Sequence, residues 1–212
     1  MMHKFTLGTA NFQSKYGITN TGRFHPNELN KILNILKKNR IRGIDTAISY
    51  KNVDKLLSRF KLKNFKIYSK IPKYKGKPEG FSKWCTKIII NHRKKLKIKK
   101  FEGIFFHHPE DLLSNSGKQL YKSFVKFKKE KYIKKIGIST YDYLLTKKIQ
   151  KKFKMDIVQI PCNLFDRRFL NLKKEKLFRN VEIHARSIFL QGLLITNNKN
   201  ILKKFNNKKI FK

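Results

Sequence analysis

The chain has 212 residues and a formal net charge of +39, from 52 lysines and arginines against 13 aspartates and glutamates. This length allows one domain with a substantial core, and the two cysteines are too few for a disulfide framework and lack metal-ligand spacing. No window reaches the ~20 apolar residues of a membrane span, and no apolar signal core precedes the first predicted strand, so we expect a cytoplasmic protein without a membrane span.

Short apolar runs alternate with lysine-rich amphipathic segments along the chain, which is the pattern of repeated strand–helix units. The apolar runs predict strands at 5–9, 43–46, 66–69, 103–107, 136–139, 157–160 and 183–187. Apolar residues at helical spacing predict helices over 26–38, 53–60 and 117–131. Crossover helices between successive strands imply a parallel sheet with right-handed connections.

The predicted fold is α/β, a parallel (β/α)8 TIM-type barrel that forms a single domain over residues 1–212. Seven strands can be counted, but no eighth strand–helix unit is found: a polar stretch at 195–200 follows Leu194, and a basic segment then runs to Lys212. A barrel without its eighth unit leaves the first and seventh strands with unpaired backbone edges. We therefore predict an incomplete barrel, whose open edge a partner or an oligomer contact would cover.

Polar residues with complementary chemistry lie at the ends of three predicted strands. Asp45 and Tyr50 lie at and beyond the end of the second strand, Lys70 follows the third, and His107 ends the fourth. The carboxyl ends of the strands converge on one rim of a parallel barrel, so we expect these side chains to meet. A phenol is a poor acid at neutral pH, with a pKa of about 10, but a neighbouring ammonium lowers that pKa and a carboxylate can hold the ammonium in place. Reduction of a carbonyl requires this set of groups.

The adjacent residues His107 and His108 raise the alternative of a metal site. Neighbouring residues of a strand point to opposite faces of the sheet, and no cysteine or carboxylate cluster lies at ligand spacing nearby. We therefore predict no metal site. His92 and His184 are interpreted as structural or surface residues.

The order and spacing of these residues resemble those of the aldo-keto reductase family. The matching segments are Asp-Thr-Ala-x-x-Tyr at 45–50, the strand that ends at Lys70, His-x-Pro at 107–109, Ile-Gly-Ile-Ser at 136–139, Val-Gln-Ile at 158–160 with Asn163, and Ser-Ile-Phe-Leu-Gln-Gly-Leu-Leu at 187–194. The similarity runs from residue 7 to residue 194. The chain resembles the branch with Arg-Ser after the seventh strand, where more familiar members have Tyr-Ser.

The resemblance implies an NAD(P)H-dependent reductase that acts on a small-molecule aldehyde, ketone or sugar-like carbonyl. In this interpretation Tyr50 gives a proton to the carbonyl oxygen while a hydride reaches the carbonyl carbon. Lys70 lowers the pKa of Tyr50, and Asp45 pairs with Lys70. His107 orients the carbonyl oxygen through a hydrogen bond.

The resemblance also implies a nicotinamide cofactor, NADPH or NADH, although the chain has no Gly-x-Gly-x-x-Gly fingerprint of a Rossmann site. Gly8 and Thr9 match the turn that approaches the nicotinamide ribose, and Ser139 and Gln159 match the residues that bind the carboxamide. Arg186 stands where an aromatic ring commonly stacks under the nicotinamide, and a guanidinium plane can also stack. The residues that match the loop around the pyrophosphate are Ser187, Phe189, Gln191 and Gly192.

Two other hypotheses stay open. The missing eighth unit favours a truncated barrel that folds but does not catalyse. The charge favours a nucleic-acid-binding protein. However, the lysines are spread over every predicted helix instead of forming one tract. Alanine occurs only at positions 10, 47 and 185, and Asn, Ile and Phe are abundant, as in proteins of AT-rich genomes. We therefore predict no specific nucleic-acid partner, only salt-sensitive adhesion to RNA or anionic membranes.

Overall fold

The computed structural model describes residues 5–13, 16–17, 26–197 and 199. Seven parallel strands form one sheet in which each strand pairs with the next along the chain. The strands are β1 (Thr6–Gly8), β2 (Gly43–Asp45), β3 (Lys66–Ile71), β4 (Phe101–Phe106), β5 (Ile133–Ser139), β6 (Ile157–Pro161) and β7 (Glu182–Arg186). The helices between them are α1 (Pro26–Lys38), α2 (Val53–Leu57), α3 (Phe81–Lys95), α4 (Gly117–Lys129) and α5 (Tyr143–Lys152). The predicted parallel α/β fold of TIM type is confirmed.

Strands β4 and β5 begin earlier than the apolar runs indicated, because charged residues lie near their starts. β4 begins at Phe101 and β5 at Ile133, ahead of the predicted starts at 103 and 136. Glu102 lies in β4 although it carries a charge, and its carboxylate lies 3.2 Å and 3.4 Å from the ammonium groups of Lys134 and Lys135, which both lie on β5. These ion pairs between neighbouring strands offset the cost of burying the carboxylate.

Helix α5 was not among the predicted helices, and its sequence explains why. Only Thr146 and Ile149 of this lysine-rich segment are buried, so the apolar stripe is too sparse to stand out. The helix begins at an N-cap, where the Asp142 side chain accepts a hydrogen bond of 2.9 Å from the backbone N–H of Leu145. Helix α2 ends at Leu57, before the predicted limit at 60.

The core has two parts, one on each face of the sheet. The outer face packs against the helices and buries most of the apolar residues. The inner face holds a smaller cluster of Tyr68, Phe105 and Ile157. Gly103 lies opposite Tyr68, and a Cβ built there would come within 3.0 Å of the Tyr68 ring. The glycine therefore leaves the space inside the barrel that this tyrosine occupies.

The sheet is open within the part of the chain that the structure describes. There β1 pairs with β2, β7 pairs with β6, and no eighth strand is present. The predicted basic segment up to Lys212 lies outside the described residues, apart from Lys199. Coverage of the open edge by a partner or an oligomer contact therefore stays a prediction.

The helices were also compared with the requirements of a membrane span. No helix in the described ranges has both the length and the apolar content that crossing a bilayer demands.

Candidate active site

The inner rim of the sheet brings Asp45 and Lys70 into direct contact. Asp45 lies opposite Tyr68 in the β2–β3 register, and Lys70 follows Tyr68 on the same face of β3 because side chains alternate along a strand. The Lys70 Nζ lies 2.7 Å and 2.6 Å from the two carboxylate oxygens of Asp45. It also donates a 3.2 Å hydrogen bond to the carbonyl oxygen of Thr46.

Lys70 is only 2% exposed, so its charge depends on this pairing. Burial lowers the pKa of the Lys70 ammonium, and the adjacent Asp45 carboxylate opposes that effect. A buried charge whose partner is removed is strongly destabilising. The ion pair therefore fixes both side chains at the floor of the site.

A chain of hydrogen bonds crosses the inside of the barrel to reach this ion pair. Gln159 on β6 donates from Nε2 to Asp45 Oδ1 over 3.1 Å. Ser139 lies opposite Gln159 in the β5–β6 register and donates from Oγ to its Oε1 over 3.2 Å. Since β2 and β6 are not neighbours in the sheet, these bonds hold the two sides of the open barrel together at the rim.

Tyr50 is placed above the ion pair by a turn that continues the β2–β3 ladder. The backbone N–H of Thr46 donates to Tyr68 O over 2.9 Å and that of Ile48 to Lys70 O over 3.1 Å. The Lys70 Nζ then lies 5.8 Å from the centroid of the Tyr50 ring. Among the described residues, the Lys70 ammonium donates to Asp45 and Thr46 and not to the Tyr50 hydroxyl.

The pKa of Tyr50 is raised, which differs from the expectation that Lys70 would lower it. Burial is the largest cause, followed by the Asp45 carboxylate and Tyr16, whereas Arg186 acts in the opposite direction. The Lys70 ammonium pairs with the Asp45 carboxylate, and this carboxylate itself raises the pKa of Tyr50. Tyr50 is therefore a neutral phenol at physiological pH, the form that can donate a proton.

His107 lies directly after β4, one residue beyond the strand in which it was predicted, and is half-buried. Its pKa is lowered to about 4, first by burial and then by the positive charge of Lys70, with smaller effects from His108 and Arg186. The ring is therefore neutral near pH 7 and offers one N–H donor and one acceptor nitrogen. His108 instead pairs with Glu110 at 3.2 Å. No group of three or more metal-ligating side chains occurs in the described part of the chain.

The residues matched to a carboxamide and ribose lie on the same rim. Thr9 is buried, and its hydroxyl donates to the backbone oxygen of Asp45 over 3.0 Å. Gly8 faces open space, since a Cβ built there meets no atom within 4 Å. Ser139 and Gln159 present a hydroxyl and an amide beside Asp45, and such groups can both donate to and accept from a carboxamide.

Arg186 at the end of β7 stacks on a tyrosine that the sequence did not single out. Its guanidinium carbon lies 3.9 Å from the centroid of the Tyr141 ring, and its Nη2 donates to Thr140 O at 3.4 Å. The Nε atom is buried and has no hydrogen-bond partner within the described residues. An unsatisfied buried donor carries a free-energy cost.

The loop after β7 has an unusual run of left-handed backbone. Ser187, Leu190, Gln191 and Gly192 have φ angles of 56°, 46°, 56° and 94°, a conformation that costs about 1–2 kcal/mol for each residue with a side chain. Strained loops of this kind persist where the surroundings hold them and often present backbone N–H groups to anions. Phe189 is exposed on this loop, and Gly17 packs against the Gln191 carbonyl.

Sequence reasoning missed two aromatic residues at this rim, Tyr16 and Tyr141. Burial raises the pKa of Tyr16, and Tyr141, Arg186 and Asp45 are close enough to shift it further. Tyr16 stands on the connection after β1 and Tyr141 just beyond β5. Their position after a strand end was the only signal that could have identified them.

Comparisons with known proteins find matches in one family. The model of the aldo/keto reductase family matches residues 4–210. A Pseudomonas aeruginosa structure described as an aldo-keto reductase superposes with a TM-score of 0.70 at 19% identity, over 85% of this chain and 71% of its own. The holo form of a Bacillus halodurans aldo-keto reductase gives 0.69 at 17%, over 90% of this chain and 64% of its own. A Gluconobacter oxydans glycerol dehydrogenase gives 0.66 at 17%, over 92% and 63%.

At these identities the solved structures establish the fold alone. The chain spans less than two thirds of the length of two of these three structures. No curated protein sequence matches the chain.

Proposed function

The chain belongs to the aldo/keto reductase family, and on this premise we propose that it is an NAD(P)H-dependent oxidoreductase that reduces an aldehyde or ketone carbonyl with Tyr50 as the proton donor. The observation that carries the proposal is the grouping of Asp45, Lys70 and Tyr50 on one rim. The ion pair of the first two is buried, and the Lys70 Nζ lies 5.8 Å from the centroid of the Tyr50 ring.

The proton donor and the oxygen-binding group have the protonation states that reduction needs. A bound reduced nicotinamide would supply the hydride to the carbonyl carbon. The Tyr50 hydroxyl gives its proton to the carbonyl oxygen as negative charge develops there, and the resulting phenolate is then reprotonated from solvent. The Lys70 ammonium, 5.8 Å from the centroid of the Tyr50 ring, would stabilise the transient phenolate. Neutral His107 donates its N–H to the same oxygen and orients it.

The raised pKa of Tyr50 makes the free phenol a weak acid, yet this does not oppose the proposed step. The alkoxide that forms during hydride transfer is a stronger base than a phenolate, so proton transfer to it is downhill. Burial around Tyr50 also excludes water, which strengthens electrostatic interactions inside the site. The phenol therefore stays protonated until the transition state requires the proton.

The cofactor, NADPH or NADH, would be held by the donors and acceptors of the rim. Ser139 and Gln159 would bind its carboxamide, Gly8 and Thr9 would approach the ribose, and Arg186 would lie against the nicotinamide. The left-handed loop of Ser187, Phe189, Gln191 and Gly192 would contact the pyrophosphate, because its strained backbone suits close approach to phosphate oxygens. The substrate class that we propose is an aldehyde or ketone, and it includes sugar-like carbonyls.

Steady-state oxidation of NADPH and NADH with a panel of aldehydes, ketones and sugars tests the proposal. Tyr50→Phe removes only the acidic proton, so we expect a loss of at least ~100-fold in kcat, the usual contribution of a general acid. Tyr141→Phe is the matched control, because it makes the same chemical change on the same rim at an exposed ring. Equal rates for wild type and Tyr50→Phe with every carbonyl would refute the assignment of Tyr50.

A barrel that folds without catalysing is the second candidate, because β1 and β7 do not pair with each other in the described residues. The two candidates differ in cofactor binding. A reductase that binds NADPH is stabilised by about 2.7 kcal/mol at a concentration 100 times Kd, which a thermal shift would record. No stabilisation by NADPH or NADH, together with no activity, would favour the inactive barrel.

A further inference from the structure

A second chain of polar side chains lies behind the candidate site, on the helix side of β3. The Ser69 Oγ lies 2.8 Å from His92 Nε2, and His92 Nδ1 lies 2.9 Å from Asp54 Oδ2. Ser69 is 0% exposed and His92 2% exposed. The chain joins three elements, because Ser69 is on β3, His92 on α3 and Asp54 on α2.

This serine, histidine and aspartate have the order of a hydrolytic triad, but their burial excludes that role. A nucleophilic hydroxyl must reach a substrate carbonyl, and Ser69 has no exposed surface. The adjoining cleft of about 500 Å³ is lined by Asp54 but by neither Ser69 nor His92. Any effect of these hydrogen bonds on the site must therefore come from the backbone segments that they hold in place.

On the inner side of the sheet, these hydrogen bonds support the backbone that connects Lys70 to Tyr50. Lys70 directly follows Ser69 on β3. The Lys70 carbonyl accepts the 3.1 Å hydrogen bond from Ile48 N, and the Tyr50 N–H closes the next turn by donating to Ala47 O over 3.0 Å. The backbone that carries the phenol is thus tied to the backbone that carries the ammonium.

On the outer side of the sheet, residues of α2 and α3 connect the Tyr50 segment back to β3. Asp54 lies in the first turn of α2, four residues after Tyr50, and His92 connects it to Ser69. The links form a closed ring that contains both Tyr50 and Lys70. The His92 ring is held in plane by stacking on Phe101, with centroids 5.2 Å apart and an interplanar angle of 10°.

The polarity of the two hydrogen bonds follows from their partners. A carboxylate oxygen accepts, so the tautomer with its proton on His92 Nδ1 donates to Asp54 and accepts from the Ser69 hydroxyl at Nε2. A glutamine has the same pair of functions, since its NH₂ can donate to Asp54 while its oxygen accepts from Ser69. This equivalence supplies a conservative variant.

We propose that His92 is a positioning residue that fixes the separation of Tyr50 and Lys70 by closing this ring of hydrogen bonds, with Ser69 and Asp54 as its anchors. The inference rests on the proposed function, since positioning of these two groups matters only for proton transfer. Misplacement of a reacting group by about 1 Å can cost on the order of 100-fold in rate.

The test compares His92→Leu, which opens the ring, with His92→Gln, which keeps its donor and acceptor. Ile89→Ala is the matched control, because Ile89 is a buried residue of the same helix one turn away and has no part in the hydrogen bonds. We expect His92→Leu to lower kcat about 10- to 100-fold with KM and NADPH affinity nearly unchanged, as positioning effects do. His92→Gln should recover most of the loss, and Ile89→Ala should keep the wild-type kcat.

A second readout does not require activity. The pKa of His107 is held down to about 4 partly by Lys70, so NMR titration of the His107 ring reports where Lys70 lies. Opening the ring should raise that midpoint, and His92→Gln should restore it. If His92→Leu does not fold, Ser69→Ala, which breaks one link, is compared with the same control by both readouts.

The possible results are distinct. A wild-type protein that oxidises no cofactor with any carbonyl overturns the proposed function, while the His107 titration still decides whether His92 positions Lys70. Equal kcat values and equal His107 midpoints in His92→Leu and Ile89→Ala would overturn the positioning role. Failure of His92→Gln to restore either quantity would do the same.

Discussion

Replacement of Asp45 by asparagine removes one charge from the ion pair at the floor of the site and leaves its shape nearly unchanged. Lys70 would then carry an unpaired ammonium at 2% exposure, although Gln159 and the Thr46 carbonyl would remain as neighbours. Breaking a buried ion pair by removing one partner costs about 3–5 kcal/mol. At about 2–4 °C per kcal/mol for a domain of this size, the melting temperature should fall by at least ~6 °C.

The pH dependence of this loss has a definite sign. Burial lowers the pKa of Lys70 in the folded protein below its ordinary value of 10.5, and the variant lacks the carboxylate that opposes this. The unfolded state then binds more protons than the folded state below pH ~10, so stability rises as pH rises toward that value and is lost as pH falls. Urea unfolding of Asp45→Asn, followed by the fluorescence of Trp84, should therefore give a greater free energy of unfolding at pH 9 than at pH 7.

Asp166→Asn is the matched control for this experiment. Asp166 pairs with Arg168 at 2.8 Å, but the arginine is exposed, and pairs of this kind contribute at most about 1 kcal/mol. If Asp45→Asn and Asp166→Asn lose the same stability, with the same pH dependence, the argument that the buried pair needs its carboxylate is wrong.

Three further predictions concern protonation, the loop and the surface charge. Because the pKa of His107 is about 4, kcat/KM should show no inflection from this residue between about pH 5 and 8. The contribution of the neutral His107 ring to stability should be lost as pH falls from about 6.5 toward 4. An NMR titration midpoint near 6.5 would contradict both statements. Gly192→Ala forces an alanine to φ 94°, so NADPH affinity measured by fluorescence titration should fall several-fold, by about 1–2 kcal/mol of strain, while an unchanged affinity would remove the loop from the cofactor site. Retention of oligonucleotides should vanish between low salt and physiological salt, and persistent sequence-selective binding would revive the nucleic-acid hypothesis.

The fold could be predicted from the sequence wherever burial of an element leaves a clear apolar pattern in its own residues. Strand β4 is buried along its whole length, as its apolar run indicated, and α1 keeps Leu29, Leu33 and Leu36 buried at helical spacing. The bounds of α1 are those predicted from that spacing. Where burial is sparse, as in α5 with Thr146 and Ile149, the pattern carries little information and the helix was missed.

The interior of the barrel could not be predicted, because its contacts join residues distant in sequence. Tyr68 donates to Glu182 at 3.4 Å, and His184 lies 2.8 Å from the same carboxylate. Glu182 also pairs with Lys135, and its pKa is lowered to about 2, mainly by the hydrogen bond with His184. The interpretation of His184 as structural agrees with these contacts, but its partners could not be predicted from local patterns in the sequence.

The candidate site, too, could be predicted from the sequence only in part. Positions at strand ends were enough to bring Asp45, Lys70 and His107 to one rim, since parallel strands share a direction. The protonation of Tyr50 was not, because burial and the Asp45 carboxylate raise its pKa and Arg186 opposes them only in part. Nor could the sequence indicate that His92, interpreted as structural or surface, bonds to both Ser69 and Asp54.

Transfer of label from NADPH carrying deuterium at C4 of the nicotinamide to the product alcohol tests the account most directly. With an accepted aldehyde or ketone, the wild-type protein should place deuterium on the carbon that bore the carbonyl group, and Tyr50→Phe should lower the rate of that transfer at least ~100-fold while it still binds NADPH. Binding of NADPH without any deuterium in a product, or equal transfer by wild type and Tyr50→Phe, would contradict the account.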